Sequence, residues 1–296
     1  MDTKKLMKIC SAMLGLLLTV ACANTDNSIP TGIEKIPAQV TDIEVTGIPG
    51  GAIITYQIPE NGNILYVMAE YRLADGILYN KKASYYSNSI TLEGFPDTQS
   101  YDVTLYTVSR SGAKSPSVTK TIVPLTPPYL SVHEKLEVEP TFGGMRIHFD
   151  NPDRANLKFI VITTDSVGDF YQAYTHYTKI ETGSFSIRGF EATERMFGVY
   201  TLDRWNNASD TLFTNITPWF EEKIDKTRFV NARLPSDTYN PHMSAAYSLE
   251  SLWDDVWGTG ACFHTIPNSG IPQWFTIDLR AKARLSRLKF YHRTST

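Results

Sequence analysis

The chain has 296 residues, of which 42% are hydrophobic and 12% aromatic, and its formal net charge at pH 7 is -3. This length is enough for about two or three domains. There is no basic run and no cluster of arginines, so nucleic-acid binding is excluded as the main function. The sequence also lacks a nucleophile elbow, a zinc-protease helix and a phosphate-binding glycine loop. We therefore predict a protein that is not an enzyme and that uses no organic cofactor.

Residues 1–21 have the order of a secretion signal, with lysines first and then an apolar run over 11–21. The run is too short to span a bilayer as a helix. It ends directly on a cysteine, in the sequence LTVAC (18–22), which resembles the bacterial lipobox. The resemblance implies that Cys22 is lipid-modified and anchors the mature protein to a membrane. Thr19 departs from the pattern, because leucine is commonest there, and a plain secretion signal is the alternative.

Residues 22–36 are polar and have no hydrophobic period, so we predict a flexible tether. The cysteine that remains after the signal and the anchor is Cys262, and a single cysteine cannot form an internal disulfide. No pattern of histidine and asparagine frames it as a nucleophile. We predict that Cys262 is a small buried hydrophobic residue.

From residue 37 the chain is typical of short alternating strands separated by turn residues, with no amphipathic helix. The predicted strands cover 39–45, 51–58, 64–72, 89–92, 101–108 and 118–123. Strands of this length and spacing indicate a β-sandwich, here over residues 37–126. The proline-rich sequence PLTPP (124–128) predicts a stiff boundary after this sandwich.

Three segments of this region recur in the same order about 93 to 95 residues further along the chain. The pairs are GGAIITYQIP (50–59) with GGMRIHFDNP (143–152), SITLEGF (89–95) with SFSIRGF (184–190), and LYTVSR (105–110) with VYTLDR (199–204). Chance can produce one such match, whereas three at one offset indicate a duplication. A period this long predicts two tandem sandwiches, over 37–126 and 127–219, rather than a solenoid.

Both copies resemble the fibronectin type III fold. Tyr56 and Phe149 stand where that family places a core aromatic on its second strand, and Tyr101 stands at its corner tyrosine. The resemblance implies that the Tyr101 hydroxyl ties a crossing loop to the backbone. The second copy departs from the pattern, because Arg195 or Met196 stands near the corner position. We expect these named aromatic residues to lie in the core.

Residues 220–296 no longer follow the repeat. They contain YSLESLWDD (247–255), PQWFTIDL (272–279) and ARLSRLKFY (283–291). These segments resemble the opening of a discoidin-like, galactose-binding jelly roll, with an aspartate turn, a W-x-x-x-D-L strand and an alternating strand. The glycine usual after the first aspartate is replaced by Asp255.

A jelly roll of this kind needs about eight strands to close its two sheets. Residues 220–296 offer three or four, which leaves the last strand without partners for its apolar face. We expect a truncated domain, and a small β-appendage that packs on the second sandwich is the alternative. Trp274 precedes an alternating strand and is predicted to lie in the core.

The candidate site residues also lie in this last region. Trp253, Trp257 and His264 are predicted to bind glycan, the two indoles by stacking on a sugar ring. Asp254 and Asp255 are adjacent, so on a strand they would point to opposite faces and could not act together as acid and base. In a turn they would supply oxygen ligands to a structural calcium, as discoidin-like domains do, or form a solvated acidic turn.

A lipobox, tandem fibronectin-like sandwiches and a discoidin-like domain together resemble the lipoproteins encoded in polysaccharide-utilization loci of gut-type Bacteroidota, beside SusC/SusD-like transporters. The resemblance implies a protein of the outer membrane that captures polysaccharide or oligosaccharide at the cell surface, without catalysis. The sandwiches would be spacers and the last domain the binder. The periplasmic face of the membrane stays open as a location. The alternatives are a structural or protein-adhesion spacer and the N-terminal remnant of a larger glycan-active protein.

Overall fold

The structure, a computed structural model, describes residues 36–60, 63–73, 75–256 and 262–291. The signal sequence, Cys22 and all of the predicted tether except Ile36 lie outside these residues. The described regular structure is almost entirely β, and its strands pair antiparallel, so the all-β prediction is confirmed. No helix within the described ranges is long and apolar enough to cross a membrane. The chain divides into two compact units, with the division between Pro127 and Pro128.

The first unit is a sandwich of two antiparallel sheets. Its strands are β1 (Thr41–Ile48), β2 (Gly51–Gln57), β3 (Ile64–Arg72), β4 (Leu78–Ser84), β5 (Ser89–Glu93), β6 (Tyr101–Ser109) and β7 (Val118–Ile122). They pair in the orders β1-β2-β5 and β4-β3-β6-β7. Alternate side chains face the space between the sheets, and Ile54, Leu92 and Leu105 are fully buried there.

The second unit begins with a short helix, α1 (Pro128–Glu134), and then repeats the same sandwich. Its strands are β8 (Glu137–Thr141), β9 (Gly144–Asp150), β10 (Leu157–Thr164), β11 (Phe170–Thr178), β12 (Thr182–Arg188), β13 (Arg195–Leu202) and β14 (Leu212–Ile216). They pair in the orders β12-β9-β8 and β11-β10-β13-β14. Met145, Ile147 and Phe159 are fully buried in its core.

The duplication extends to hydrogen bonds outside the β-ladders. A buried threonine on β6 and one on β13 each donate a hydroxyl hydrogen bond to the segment that enters the sandwich. Thr107 donates to the carbonyl of Ala38 at 2.8 Å, and Thr201 donates to that of Tyr129 at 2.5 Å. Matching backbone bonds run from Gly94 and Phe95 to the Gly50 carbonyl, and from Gly189 and Phe190 to the Gly143 carbonyl.

The predicted core aromatics are confirmed, since Tyr56 is 3% exposed and Phe149 is 5% exposed. The Tyr101 ring packs against Phe95 with 4.8 Å between centroids. Its hydroxyl donates to the carboxylate of Asp97 at 2.7 Å, so the loop before β6 is tied down through a side chain. Arg195 begins β13 as Tyr101 begins β6, and it is therefore the residue at the corner of the second copy.

Two elements were missed by the sequence prediction. Strand β4 lies at a sheet edge, and its polar sequence LYNKKAS has no apolar alternation to mark it. Helix α1 spans only 7 residues and starts at Pro128, whose fixed φ suits the first helical position. Tyr129 and Val132 of this helix are buried in the second core.

The part of the chain after Trp219 has little regular structure. Strand β15 (Val230–Asn231) pairs with β16 (Ile277–Asp278), and three single 3₁₀ turns cover Lys226–Arg228, Ala245–Tyr247 and Leu249–Leu252. The predicted alternating strand over 283–291 is wrong. A strand needs a neighbour for its backbone hydrogen bonds, and within the described residues no strand pairs with this segment.

Candidate functional site

Glu221 links the second sandwich to the last described segment of the chain. Its side chain is 12% exposed and accepts hydrogen bonds from Arg188 on β12 at 3.0 Å, from the Ser286 hydroxyl at 2.6 Å and from Arg287 at 3.0 Å. Burial by itself would raise the pKa of Glu221. The hydroxyl of Ser286 and the guanidiniums of Arg287 and Arg188 outweigh burial and lower that pKa below its ordinary value.

Arg284 makes a second contact in the same place. Its guanidinium lies 5.5 Å from the ring centroid of Phe142 and 5.3 Å from that of Trp219. These two rings meet edge to face at 5.3 Å, at the end of the second sandwich. A cation over aromatic faces is attracted by their quadrupoles. The segment 283–291 is therefore held by side-chain contacts rather than by a β-ladder.

The residues predicted to bind glycan do not form one cluster in the described structure. Trp253 is half-buried and packs against Phe229, with 6.0 Å between ring centroids. His264 is exposed and lies 5.6 Å from His242 and 5.9 Å from Tyr247, again between ring centroids. Trp257 lies outside the described residues.

Asp255 is committed to lysine side chains. Its carboxylate lies 2.5 Å from the ammonium of Lys226 and 3.5 Å from that of Lys223. The hydrogen bond from Lys226 is the main cause of the lowered pKa of Asp255. The residue has φ 61°, in the left-handed region, at the position where the discoidin-like pattern has glycine.

Asp254 accepts a hydrogen bond from the Val256 backbone N–H at 2.8 Å. Among the described residues no group of three or more His, Cys, Asp or Glu side chains is placed to hold a metal ion. These contacts favour a salt-bridged acidic turn over a calcium site, and calcium binding by Asp254 and Asp255 stays a prediction.

Trp274 lies on the surface, so its predicted core position is wrong. The side chain is 61% exposed. Its backbone N–H donates to the Thr238 hydroxyl at 3.1 Å, and its carbonyl accepts from the N–H groups of Thr238 and Tyr239 at 3.2 and 3.1 Å. Strand β16, which follows it, is only 2 residues long, so within the described structure no second sheet covers the indole.

The side-chain amide of Gln273 belongs to the residue just before this indole. The side-chain N–H of Gln273 donates to the Gly270 carbonyl at 2.9 Å, and its oxygen accepts from the Asn240 N–H at 3.4 Å. Thus the backbone that carries Trp274 is fixed from both sides while its ring faces solvent. Cys262, predicted to be buried, is only half-buried.

The second sandwich also carries exposed aromatic rings on the outer face of the β11-β10-β13-β14 sheet. Phe170 and Phe213 are 48% and 50% exposed, with 5.5 Å between their ring centroids. Gly198 lies beneath the Phe213 ring, and a β-carbon added there would stand 3.0 Å from that ring. This pair therefore forms an exposed aromatic surface on the second sandwich.

Comparison with known protein families gives three matches. The chain matches three domains of unknown function, DUF4959 over residues 37–124, DUF5126 over 125–227 and DUF5000 over 253–296. Each match covers less than half of the chain. No curated protein matches it.

Three solved structures illustrate the structural neighbours. A SusE-like protein is 35% identical, with 54% of this chain and 57% of that chain covered and a TM-score of 0.33. A two-domain fibronectin type III segment of chicken tenascin is 11% identical, with 60% and 99% covered and a TM-score of 0.29. The α chain of the chicken interferon gamma receptor is 14% identical, with 62% and 99% covered and a TM-score of 0.27. At these scores the overlays carry no argument, and the fold assignment rests on the strand pairing itself.

Proposed function

We propose that this protein is a non-catalytic accessory lipoprotein that captures polysaccharide or oligosaccharide at the outer surface of a bacterial cell. The observation that carries the proposal is the exposed indole of Trp274. An exposed indole leaves a large apolar face in water, and a pyranose ring has an apolar face of matching size. The side-chain amide of Gln273, the preceding residue, bonds to the Gly270 carbonyl and to the Asn240 backbone N–H, and its second N–H can donate to a sugar hydroxyl.

The remaining parts of the chain take supporting roles in this proposal. The lipobox-like ending at Cys22 supports attachment to the outer membrane through acyl chains, and the polar segment 22–36 would hold the sandwiches away from it. The two sandwiches would act as spacers. Because capture alone moves no sugar across the membrane, a SusC/SusD-like transporter is the proposed partner.

The proposal predicts binding that depends on Trp274. In affinity electrophoresis through gels that contain amylopectin, galactomannan, xylan or polygalacturonate, at least one polysaccharide is expected to retard the whole chain. Trp274→Ala should weaken that retardation about fivefold or more in apparent Kd, since stacking on an aromatic ring contributes about 1 kcal/mol or more. The control is Met243→Ala, which removes another exposed apolar side chain from the same part of the chain. If no glycan retards the protein, carbohydrate capture is wrong.

A second candidate function is a protein-adhesion spacer without glycan binding. The outer aromatic face of the second sandwich, around Phe170 and Phe213, supports it, because exposed aromatic clusters are typical of protein contact surfaces. Co-purification with a transporter in the absence of glycan, lost in Phe213→Ser, would favour this function.

A further inference from the structure

An open cleft lies at one rim of the second sandwich. It has a volume of about 660 Å³ and is bounded by the turn between β10 and β11 and by the loop between β12 and β13. Its lining includes Asp165, Phe190, Glu191, Glu194 and Arg195. This volume is within the range of small-molecule sites.

Arg195 takes the corner position of the second sandwich, and it contacts its loop through an aromatic ring rather than through a carboxylate. Its guanidinium lies over the Phe190 ring at 4.7 Å, and it donates one hydrogen bond to the carbonyl of Thr164 at 2.8 Å. Its Nε is buried and has no hydrogen-bond partner in the described structure. Tyr101, by contrast, bonds to Asp97 of its own loop.

The loop carboxylates are also left without ionic partners. Glu191 and Glu194 are exposed, and neither forms an ion pair within the part of the chain that the structure describes. Asp165 closes its own turn, where its carboxylate accepts from the N–H groups of Val167 and Asp169 at 2.9 and 3.0 Å. The cleft thus offers fixed walls together with unused hydrogen-bond acceptors.

The charges of the cleft lining exclude one class of ligand. The lining carries three carboxylates and one guanidinium, so an anionic ligand would be repelled. The carboxylates do not converge on one point, since no group of three or more potential metal ligands occurs among the described residues. Among uncharged groups, hydroxyls fit this lining, because they donate to carboxylates and accept from an arginine N–H.

We propose that this cleft is a second carbohydrate site, which binds a neutral oligosaccharide through the carboxylates of Glu191 and Glu194 and the side chains of Arg195 and Phe190. It shares no lining residue with the surface around Trp274. The inference rests on the proposed function, because it assumes that the protein meets glycans. It assigns the second sandwich a binding role in addition to that of a spacer.

The test uses the whole chain and gels that contain amylopectin, galactomannan, xylan or polygalacturonate. Wild type is expected to be retarded by a neutral polysaccharide and not by polygalacturonate. The double variant Glu191→Ala/Glu194→Ala should weaken retardation about tenfold or more, since each carboxylate loses hydrogen bonds to sugar hydroxyls. The matched control is Gln99→Ala/Ser100→Ala in the corresponding loop of the first sandwich, which should leave retardation unchanged.

A second variant, Glu191→Gln/Glu194→Gln, keeps the side-chain volume and tests the charge. It should reduce the discrimination against polygalacturonate. If wild type is retarded and both double variants match it, the cleft is not a glycan site although the proposed function stands. If Trp274→Ala, which keeps the cleft and lacks the exposed indole, is still retarded most by polygalacturonate, the neutral class is wrong. If no glycan retards wild type, the proposed function and this site are both wrong.

Discussion

The two sandwiches use the same strand pairing with different side chains on it. On the outer face of the first, Thr104 opposes Thr119, and Lys114 pairs with Glu70 at 2.9 Å. The second has Gly198 and Phe213 at the positions of the two threonines. A β-ladder is made by backbone groups, so it survives exchange of the outward side chains. The comparison shows that the fold is fixed by the inner faces while the outer faces are free to differ in function.

The corner positions differ in the same way. Tyr101 joins the first loop to its sandwich through Asp97, whereas Arg195 contacts the second loop through the Phe190 ring and borders a cleft. A duplicated fold can keep one copy as a spacer while the other acquires a site.

The largest expected effect tests whether the two copies are equivalent. A β-carbon at Gly51 would stand 2.1 Å from the carbonyl oxygen of Leu92, and one at Gly144 would stand 2.0 Å from that of Ile187. Because both obstacles are backbone atoms of the neighbouring strand, Gly51→Ala and Gly144→Ala should each cost about 3 kcal/mol or more.

Hydrogen exchange followed by mass spectrometry measures this cost separately in each sandwich. Gly51→Ala should reduce protection over β1, β2 and β5, and Gly144→Ala over β8, β9 and β12. Gly76→Ala is the control for a glycine substitution without a steric clash, since its added β-carbon meets nothing within 4 Å. Its φ of 73° adds only local strain. Unchanged protection in either glycine variant would contradict the strand approach described for that copy.

The second prediction concerns a contact that distinguishes the second sandwich. Glu221 holds the segment 283–291 against that sandwich. Glu221→Ala leaves Arg188 partly buried without its anion and should cost about 2–3 kcal/mol. Limited proteolysis and hydrogen exchange should show segment 283–291 released. Glu222→Ala, an exposed neighbour, is the matched control and should leave the segment docked.

The docking should also depend on pH. The pKa of Glu221 is lowered in the fold, so its contribution is fully present above the ordinary glutamate value and is lost as the pH falls through the lowered value. Acidification should release the segment in wild type, and Glu221→Gln should lose this pH dependence. A segment that stays docked at all pH values in wild type would show that the ion pairs do not hold it.

The smallest effect concerns the matching core aromatics. The Tyr56 hydroxyl is buried without a hydrogen-bond partner in the described structure, and burial raises the pKa of Tyr56 to about 12. Phe149 stands at the same place in the second copy. Tyr56→Phe should therefore stabilise the first sandwich by about 1 kcal/mol, because an unsatisfied polar group is removed.

Chemical denaturation with tyrosine fluorescence and hydrogen exchange measures this gain. The reverse change, Phe149→Tyr, should destabilise the second sandwich by about 1 kcal/mol or more for the same reason. A destabilised Tyr56→Phe would mean that the hydroxyl has a partner, such as a buried water.

The sequence by itself determined the two sandwiches. Alternation over β2, β3 and β6 is a local pattern that predicts strands. The same pattern recurs in the second half of the chain and predicts a second sandwich. The resemblance to the fibronectin type III fold implied buried positions for Tyr56 and Phe149, and alternation agrees with it, since every second residue of a paired strand faces the same side.

The tertiary structure decided what happens where no pattern is repeated. Strand β4 pairs at an edge despite its polar sequence, whereas the alternating segment 283–291 pairs with no strand of the described residues and is held by side chains. Alternation records which face a side chain would take, but a strand exists only when a neighbour supplies its hydrogen bonds. The exposure of Trp274 and the shape of the cleft beside Arg195 likewise depend on residues that are distant in the sequence, so neither could be predicted from a local pattern.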